Sequence, residues 1–316
     1  MLSEIPQFSI VMPAYNAARF IDAAVGSVRA QTCRDWELII VNDGSTDATE
    51  AAVASWCERD PRIRLISVRN GGVSAARNHG MAAARGTYIA LLDADDLWHA
   101  DKLERHAQHF AGTAELGVSF TRARFMTHDG QPTANVSSAP LRGIVPAGLL
   151  YENPTTTPST LAVRRELVAQ AGGFDESMRA TEDLEWLFRI VHLTRCRIEG
   201  IDAPLTLYRS GAHGASANLA RMAEGWEQFL LRVRILAPCL HRHHYRAARA
   251  THMRYLARHA IRHGACREAC AYIREALACD WRLVLRSPRR TLLTLATAYL
   301  QRVAALFGAP RAHQNH

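Results

Sequence analysis

Apolar residues fall along the first hundred positions in short bursts separated by helical stretches. Phe8-Ser9-Ile10-Val11-Met12, ended by Pro13, predicts a buried strand. Ala17 to Thr32 sets Phe20, Ile21, Val25 and Val28 at helical spacing. Trp36 to Val41 predicts a second strand, and Thr46 to Cys57 a second helix entered through Ser45 or Asp47 as N-cap. Ile63 to Val68 is a third strand, Gly71-Gly72 a turn, Val73 to Arg85 a third helix, and Tyr88 to Leu92 a fourth strand. Strand, loop and helix repeated in this way predict an α/β fold, a mostly parallel sheet with helices on both faces.

The pattern then changes. Lys102 to Phe110 predicts a helix and Gly117 to Phe120 a strand, whereas 128–160, rich in Pro, Gly, Ser, Thr and Asn, reads as loops with short strands. Leu161-Ala162-Val163 is a short strand, Arg164 to Ala171 a helix stopped by Gly172-Gly173, and Glu182 to Thr194 a long helix. Arg197-Ile198-Glu199 and Leu205 to Tyr208 read as two closing strands. From Asn218 onward the pattern is helical, broken by Pro238, Gly264 and Pro288 into about four helices. One domain over 1–216 and a basic α-helical region over 217–316 follow.

Charge sharpens that division. Residues 1–216 carry 21 basic and 25 acidic side chains, while 217–316 carry 17 basic and 5 acidic ones. The acidic part holds the candidate chemistry. The basic part is expected to rest on an anionic membrane surface or guide a lipid-diphosphate acceptor, or else to be a solvated appendage or dimer contact. No nucleic-acid-reading motif is visible. The run Leu292 to Phe307 is interrupted by Gln301 and Arg302 and is too polar for a membrane span, and Met1 to Pro6 has no secretory-signal pattern. Seven cysteines without a C-x-x-C fit a reducing compartment, and Cys266 and Cys270 read as small apolar residues on one helix face.

The acidic motifs sit where strands run into loops, the place where open α/β sheets bind ligands. Asp43, after four apolar residues, can accept hydrogen bonds from a base N–H or a ribose hydroxyl, or cap the next helix. In Asp93-Ala94-Asp95-Asp96, side-chain alternation projects Asp93 and Asp95 to the same side. Such hard oxygen ligands suit Mg²⁺ or Mn²⁺ held against phosphates, while Asp96 is a candidate cap for the helix after Trp98. Glu182-Asp183 opens a helix, where acidic residues complement the dipole or where one can serve as general base. Tyr15 can stack on a flat base or cap the sheet edge. Arg77 can meet phosphate or base, or form a salt bridge, and His213 can be a ligand or a solvated loop histidine.

Taken in order, these segments resemble the family 2 glycosyltransferases, enzymes of the GT-A fold. The resemblance runs over residues 7–215: Ser9 to Asn16, Leu38 to Asp47, Ala75-Ala76-Arg77-Asn78-His79-Gly80, Gly86 to Asp96, Gly172 to Glu176, and Thr181-Glu182-Asp183. It implies a mixed, mostly parallel sheet with a nucleotide-binding half near 7–110 and an acceptor half near 111–216. It implies an inverting transfer from a nucleotide diphosphate sugar, usually UDP-linked, to the hydroxyl of a glycan or lipid-linked acceptor in cell-surface polysaccharide or glycolipid synthesis. It also implies a cytoplasmic enzyme, peripheral on the inner face of the membrane if 217–316 docks there. On this resemblance Pro13, Ala14, Tyr15, Asn16, Asp43, Arg77, Asp93 and Ala94 hold the nucleotide sugar. Asp95 and His213 hold a divalent metal (Mn or Mg), and Asp183 is the base with Glu182 beside it. After that pair the family helix often carries a further Asp or Trp, and here Leu184-Glu185-Trp186 follows. Two other classes stand against this: a non-catalytic nucleotide-sugar-binding scaffold, and a nucleotidyltransferase. The second would want a glycine- and basic-rich phosphate loop after the first strand, which Pro13 to Asn16 does not supply.

Overall fold

The computed structural model describes residues 5–210 and 218–306. Among these the chain divides into two compact units. Residues 5–149 with 153–210 form an α/β unit, and 150–152 with 218–306 form a helical one.

The α/β unit opens with β1 (Phe8–Ala14), α1 (Ala18–Arg29), β2 (Trp36–Asp43), α2 (Thr49–Arg59), β3 (Ile63–Val68), α3 (Val73–Ala83) and β4 (Tyr88–Leu91). β1 and β2 are buried along their whole length, as expected of parallel strands covered on both faces. Helix α1 buries Ile21, Ala24, Val25 and Val28, its apolar stripe, in the core with Phe8, Ile10, Met12 and Leu38. The strands lie in the order β3-β2-β1-β4, all parallel. The chain therefore switches direction across the sheet between β1 and β4, and the carboxyl ends of β1, β2 and β4 face one cleft.

The rest of the sheet is mixed. It comprises β5 (Leu97–Trp98), β6 (Leu116–Met126), β7 (Pro132–Val136), β8 (Leu161–Arg164) and β9 (Arg197–Arg209), with helices α4 (Lys102–Gly112), α5 (Pro146–Leu149), α6 (Arg165–Ala171) and α7 (Glu182–Thr194). β8 pairs antiparallel with both β4 and β6, and β9 runs parallel to β6. The two closing strands expected near 197 and 205 are one continuous strand, β9. The shifts of register beside Arg122 let it follow β6 through Pro204, which cannot donate a ladder bond. The short β5, paired with β9, is invisible in the pattern because two residues carry no periodicity.

The helical unit consists of α8 (Leu219–Leu236), α9 (Pro238–Arg262), α10 (Cys266–Cys279), α11 (Leu283–Arg286) and α12 (Pro288–Leu306). Pro238 and Pro288 stand at helix starts, where the missing N–H costs nothing, and Gly264 takes a positive φ between α9 and α10. Ala257, Ala260, Ala269, Cys270 and Ile273 form its core. Tyr151 of the 150–152 segment bonds His244 Nδ1 at 2.8 Å. Among the described residues no helix is long and apolar enough to cross a membrane.

Candidate active site

The cleft floor is built by two turns that clasp each other. Asn16, just past β1, holds left-handed backbone (φ 48°), and its Oδ1 accepts the Thr46 N–H at 2.8 Å. Its own N–H donates to Ser45 Oγ at 3.0 Å, and the Ala17 N–H donates to Thr49 Oγ1 at 2.8 Å. This fixes Pro13 and Ala14 in β1 and leaves Tyr15 beside the cleft with its residue surface 53% exposed.

Asp43 ends β2 and is buried. Its two oxygens accept the N–H groups of Gly71 and Gly72 at 2.8 and 2.9 Å. It thus caps α3 from across the sheet, a carboxylate at a helix N-terminus. Gly44 adopts φ 68°, and a Cβ there would stand 2.8 Å from the Asn70 nitrogen, so the turn requires glycine.

Arg77 is the centre of the charged layer. Its guanidinium donates from one nitrogen to Asp93 Oδ1 at 2.7 Å and from the other to Glu182 Oε1 at 3.0 Å, and it lies over the Phe174 ring. It is only 3% exposed. Of the two readings the sequence left open for Arg77, the salt bridge is the contact present: two carboxylates hold it, and it ties the strand-end acid to the helix-start acid. Both carboxylates hold its proton more firmly, against the desolvation that favours the neutral form. The neighbouring Asn78 fastens the 172–176 turn, taking the Phe174 N–H at 2.7 Å and donating to the Phe174 carbonyl at 3.0 Å.

The D-x-D segment is held from below. The Asp93 N–H donates to Ser159 Oγ at 3.0 Å, Ala94 is buried, and the Arg209 Nε–H donates to the Asp95 carbonyl at 2.9 Å. Asp96 does not cap the following helix. It is buried, takes the Arg209 N–H at 2.9 Å and the Thr157 hydroxyl at 3.3 Å, and α4 begins at Lys102 without a side-chain cap. Burial and the charges of Asp95 and Asp93 raise its pKa well above the usual carboxylate range. Apart from its own backbone N–H, the Asp95 carboxylate receives no hydrogen bond among the described residues. Burial and the Asp93 charge push its pKa up to about 6. An under-compensated carboxylate of this kind fits a hard divalent cation. Among the described residues no three metal-ligating side chains gather. Asp95 would then share the ion with ligand oxygens, as Mg²⁺ sites built on one carboxylate and phosphates do. His213 lies outside the described residues.

At the start of α7, Thr181 takes a left-handed φ of 65°, an uncommon conformation for a β-branched residue, and it aims Glu182 and Asp183 from the first turn. Asp183 Oδ2 accepts a bond from Asn153 Nδ2 at 2.9 Å. Burial and the adjacent Glu182 raise its pKa to about 6, while Arg77 and Asn153 pull the other way. Such a carboxylate is basic enough to take a proton near neutral pH. Sequence reasoning missed Asn153, Ser159 and the role of Arg209. All three act through contacts between segments distant in the chain, with no local motif to mark them.

The pattern of glycosyl transferase family 2 matches residues 9–172. The succinoglycan biosynthesis protein ExoO of Rhizobium meliloti is 34% identical over 193 residues, 58% of this chain and 55% of that protein. The hyaluronan synthase of Pasteurella multocida is 37% identical over 134 residues, 42% of this chain and 14% of that protein. The chain thus spans about half or less of the length of these relatives. A mannosyltransferase from Pyrobaculum calidifontis, solved with GDP-Man and Mn²⁺, superposes with a TM-score of 0.60 at 20% identity, covering 98% of this chain and 89% of that one. That likeness shows the GT-A fold. With the match across more than half its length, the chain belongs to glycosyl transferase family 2.

Proposed function

We propose that the protein is an inverting glycosyltransferase that moves a sugar from a nucleotide diphosphate sugar to an acceptor hydroxyl. The observation that carries the reading is Asp183. It is a carboxylate held at a helix start by Asn153 and raised to about 6 by burial and Glu182, in the same charged layer as Asp93. In this reading Asp183 takes the proton of the acceptor hydroxyl as that oxygen attacks the anomeric carbon from the face opposite the leaving group, so one displacement inverts configuration. Glu182 sustains the proton affinity of Asp183, and Arg77 keeps Glu182 and Asp93 at fixed separation. Tyr15 offers its ring to the base, and the turns around Asn16 and Asp43 shape the nucleoside pocket. Asp95 would hold a divalent cation, which when bound neutralises charge on the leaving diphosphate.

Relatives named for succinoglycan biosynthesis and for hyaluronan synthesis support a role in cell-surface polysaccharide or glycolipid synthesis. A neighbour solved with UDP-GlcNAc and another with GDP-Man support a UDP- or GDP-linked donor. Exposed apolar residues on the helical unit support a peripheral position on a membrane surface. Leu293 and Leu300, a heptad apart on α12, are 70% and 69% exposed, near the exposed Leu285 and Trp281, on a strongly basic segment.

The donor reading is tested by thermal shift with UDP, GDP, dTDP and CMP, with and without Mn²⁺, on the wild type and Asp95→Asn. One nucleotide should stabilise the wild type in a metal-dependent way, by about 2.7 kcal/mol at a hundredfold excess over Kd, and lose that dependence in the variant. No shift with any nucleotide, or an Asp95→Asn protein that keeps the metal effect, overturns the assignment.

A further inference from the structure

The α/β unit has a second concavity that the transfer chemistry does not use. It is an open cavity of about 870 Å³ lined by Arg105, Gln108 and His109 of α4, Arg122 of β6, Arg142, and Asp202 of β9. None of the residues assigned to the donor, the metal or the base lines it.

Its walls are built in advance. Ser137 donates its N–H to the Ala123 carbonyl at 2.8 Å, Arg122 donates to the Ser137 carbonyl at 2.8 Å, and the Gly200 N–H donates to the Leu141 carbonyl at 2.7 Å. A Cβ at Gly200 would stand 2.4 Å from Leu141 Cδ2 and 2.7 Å from the Phe120 ring, so the close approach of this segment to β9 depends on glycine. A cavity fixed by backbone bonds costs a ligand little ordering.

Its charge is positive. Three guanidiniums on three different segments face a single lining carboxylate, Asp202, which pairs with Arg122. Arg105 is held by Asp101, outside the lining. Arg142 takes no carboxylate or carbonyl partner among the described residues. The same field acts on His109: burial first, then Arg142 and Arg197, lower its pKa against the pull of Glu199.

The shape and chemistry choose among anions. One phosphate would leave most of the volume empty. Bases stack on Phe, Tyr or Trp, and the described lining holds none of these. Separated arginines, with Gln108, Ser138 and backbone groups between them, match carboxylates spaced along a hydroxyl-rich chain. We propose that this cavity binds an acidic oligosaccharide, a glycan segment bearing uronate-type carboxylates, at a site separate from the transfer centre. The inference rests on the transferase reading only for what the bound glycan is for, since it serves to hold an acidic acceptor.

The test uses the full chain and isothermal titration at low salt with three probes: tetragalacturonate, maltotetraose and inorganic phosphate. Tetragalacturonate should bind once per chain, at least tenfold tighter than maltotetraose. It should weaken with added salt and lose roughly tenfold or more in Arg105→Ser/Arg142→Ser, the effect of removing charge-assisted bonds from exposed side chains that the fold does not need. Equal affinity for the two oligosaccharides, no binding, or binding that ignores the two substitutions overturns the proposal. Phosphate binding tighter than tetragalacturonate with the same arginine dependence also overturns it, marking a simple phosphate site. UDP binding is read on the same samples. GDP, dTDP and CMP are tested beside it, and failure of all four nucleotides while tetragalacturonate binds would sink the donor reading and leave this one standing.

Discussion

The charge layer around Arg77 makes the most demanding prediction. Arg77→Met keeps the volume and the contact with Phe174 but leaves Asp93 and Glu182 facing each other without a cation. Breaking a buried ion pair costs about 3–5 kcal/mol. The Asp93 and Glu182 side chains keep 25% and 13% of their exposure, so water relieves part of the penalty and the lower end, about 3 kcal/mol, applies. For a unit of this size that is a fall of roughly 6–12 °C in the melting of the α/β unit, read by calorimetry at pH 7. Adding Glu182→Gln removes one of the stranded charges and should recover about 1–2 kcal/mol of the loss. The same substitution has a kinetic readout. Arg77 is one of the groups that hold down the proton affinity of Asp183, which burial and Glu182 push up to about 6. Without Arg77 the acidic limb of the pH–rate profile should move to higher pH. A melting change below roughly 2 °C, or an acidic limb that stays in place, would refute the view of Arg77 as the electrostatic tie between strand end and helix start.

Asp183→Asn should cut turnover by about 10²–10⁴-fold in a donor-hydrolysis or transfer assay while leaving nucleotide binding intact. Its melting temperature should not fall at pH 7, because the variant removes a buried charge beside Glu182 and still accepts the bond from Asn153; a lower melting point would contradict the assignment of Asp183 as a strained, functional acid. In the helical unit, His252 stacks on Trp226 at 4.3 Å, and burial lowers its pKa to about 3. The folded state holds the ring neutral, so its contribution is complete above the unfolded pKa near 6.5 and is lost as pH falls toward 3. His252 should contribute a drop of about 1.3 kcal/mol between pH 7 and 5.5, beside a second contribution of the same sign from His259, whose pKa burial lowers to about 4. His252→Phe should make the slope shallower without abolishing it in urea unfolding of the helical unit. For the membrane reading, the full chain should float with anionic vesicles and be released by salt, and flotation with neutral vesicles alone would count against it.

The half of the sheet that repeats β1, β2, β3 and β4 was legible because the strands are short, mostly apolar runs bounded by turn residues and helical stretches. β1 and β2 are buried throughout, while β3, at the sheet edge, alternates apolar residues with Arg64 and Ser67 and is mostly half-buried. Helix α7 was legible to the residue, since Glu182-Asp183 and the apolar stripe behind it agree. The mixed half was harder to read. β9 passes through Asp202 and Pro204, which look like a break, and only pairing with β6 carries the strand across them. Within the site, the motifs identified the carboxylates, whereas their partners had to be seen. Arg77 looks solvent-facing in sequence, and its burial comes from Phe174 and Glu182, about a hundred positions away. Asp96 sits in a hydrophilic-looking acidic run but turns inward to Arg209 and Thr157. No local period encodes either choice.

The three residues 150–152 carry a consequence for how the chain is made. They follow α5, belong to the helical unit, and precede Asn153, the partner of Asp183. On the ribosome, chains fold from the amino end as they emerge, so the strands of the α/β unit are complete before α8 exists. Tyr151, however, must wait for His244. Residues 150–152 are therefore anchored only after α9 has been synthesised, later than the strands of the sheet, although they lie between them in the chain.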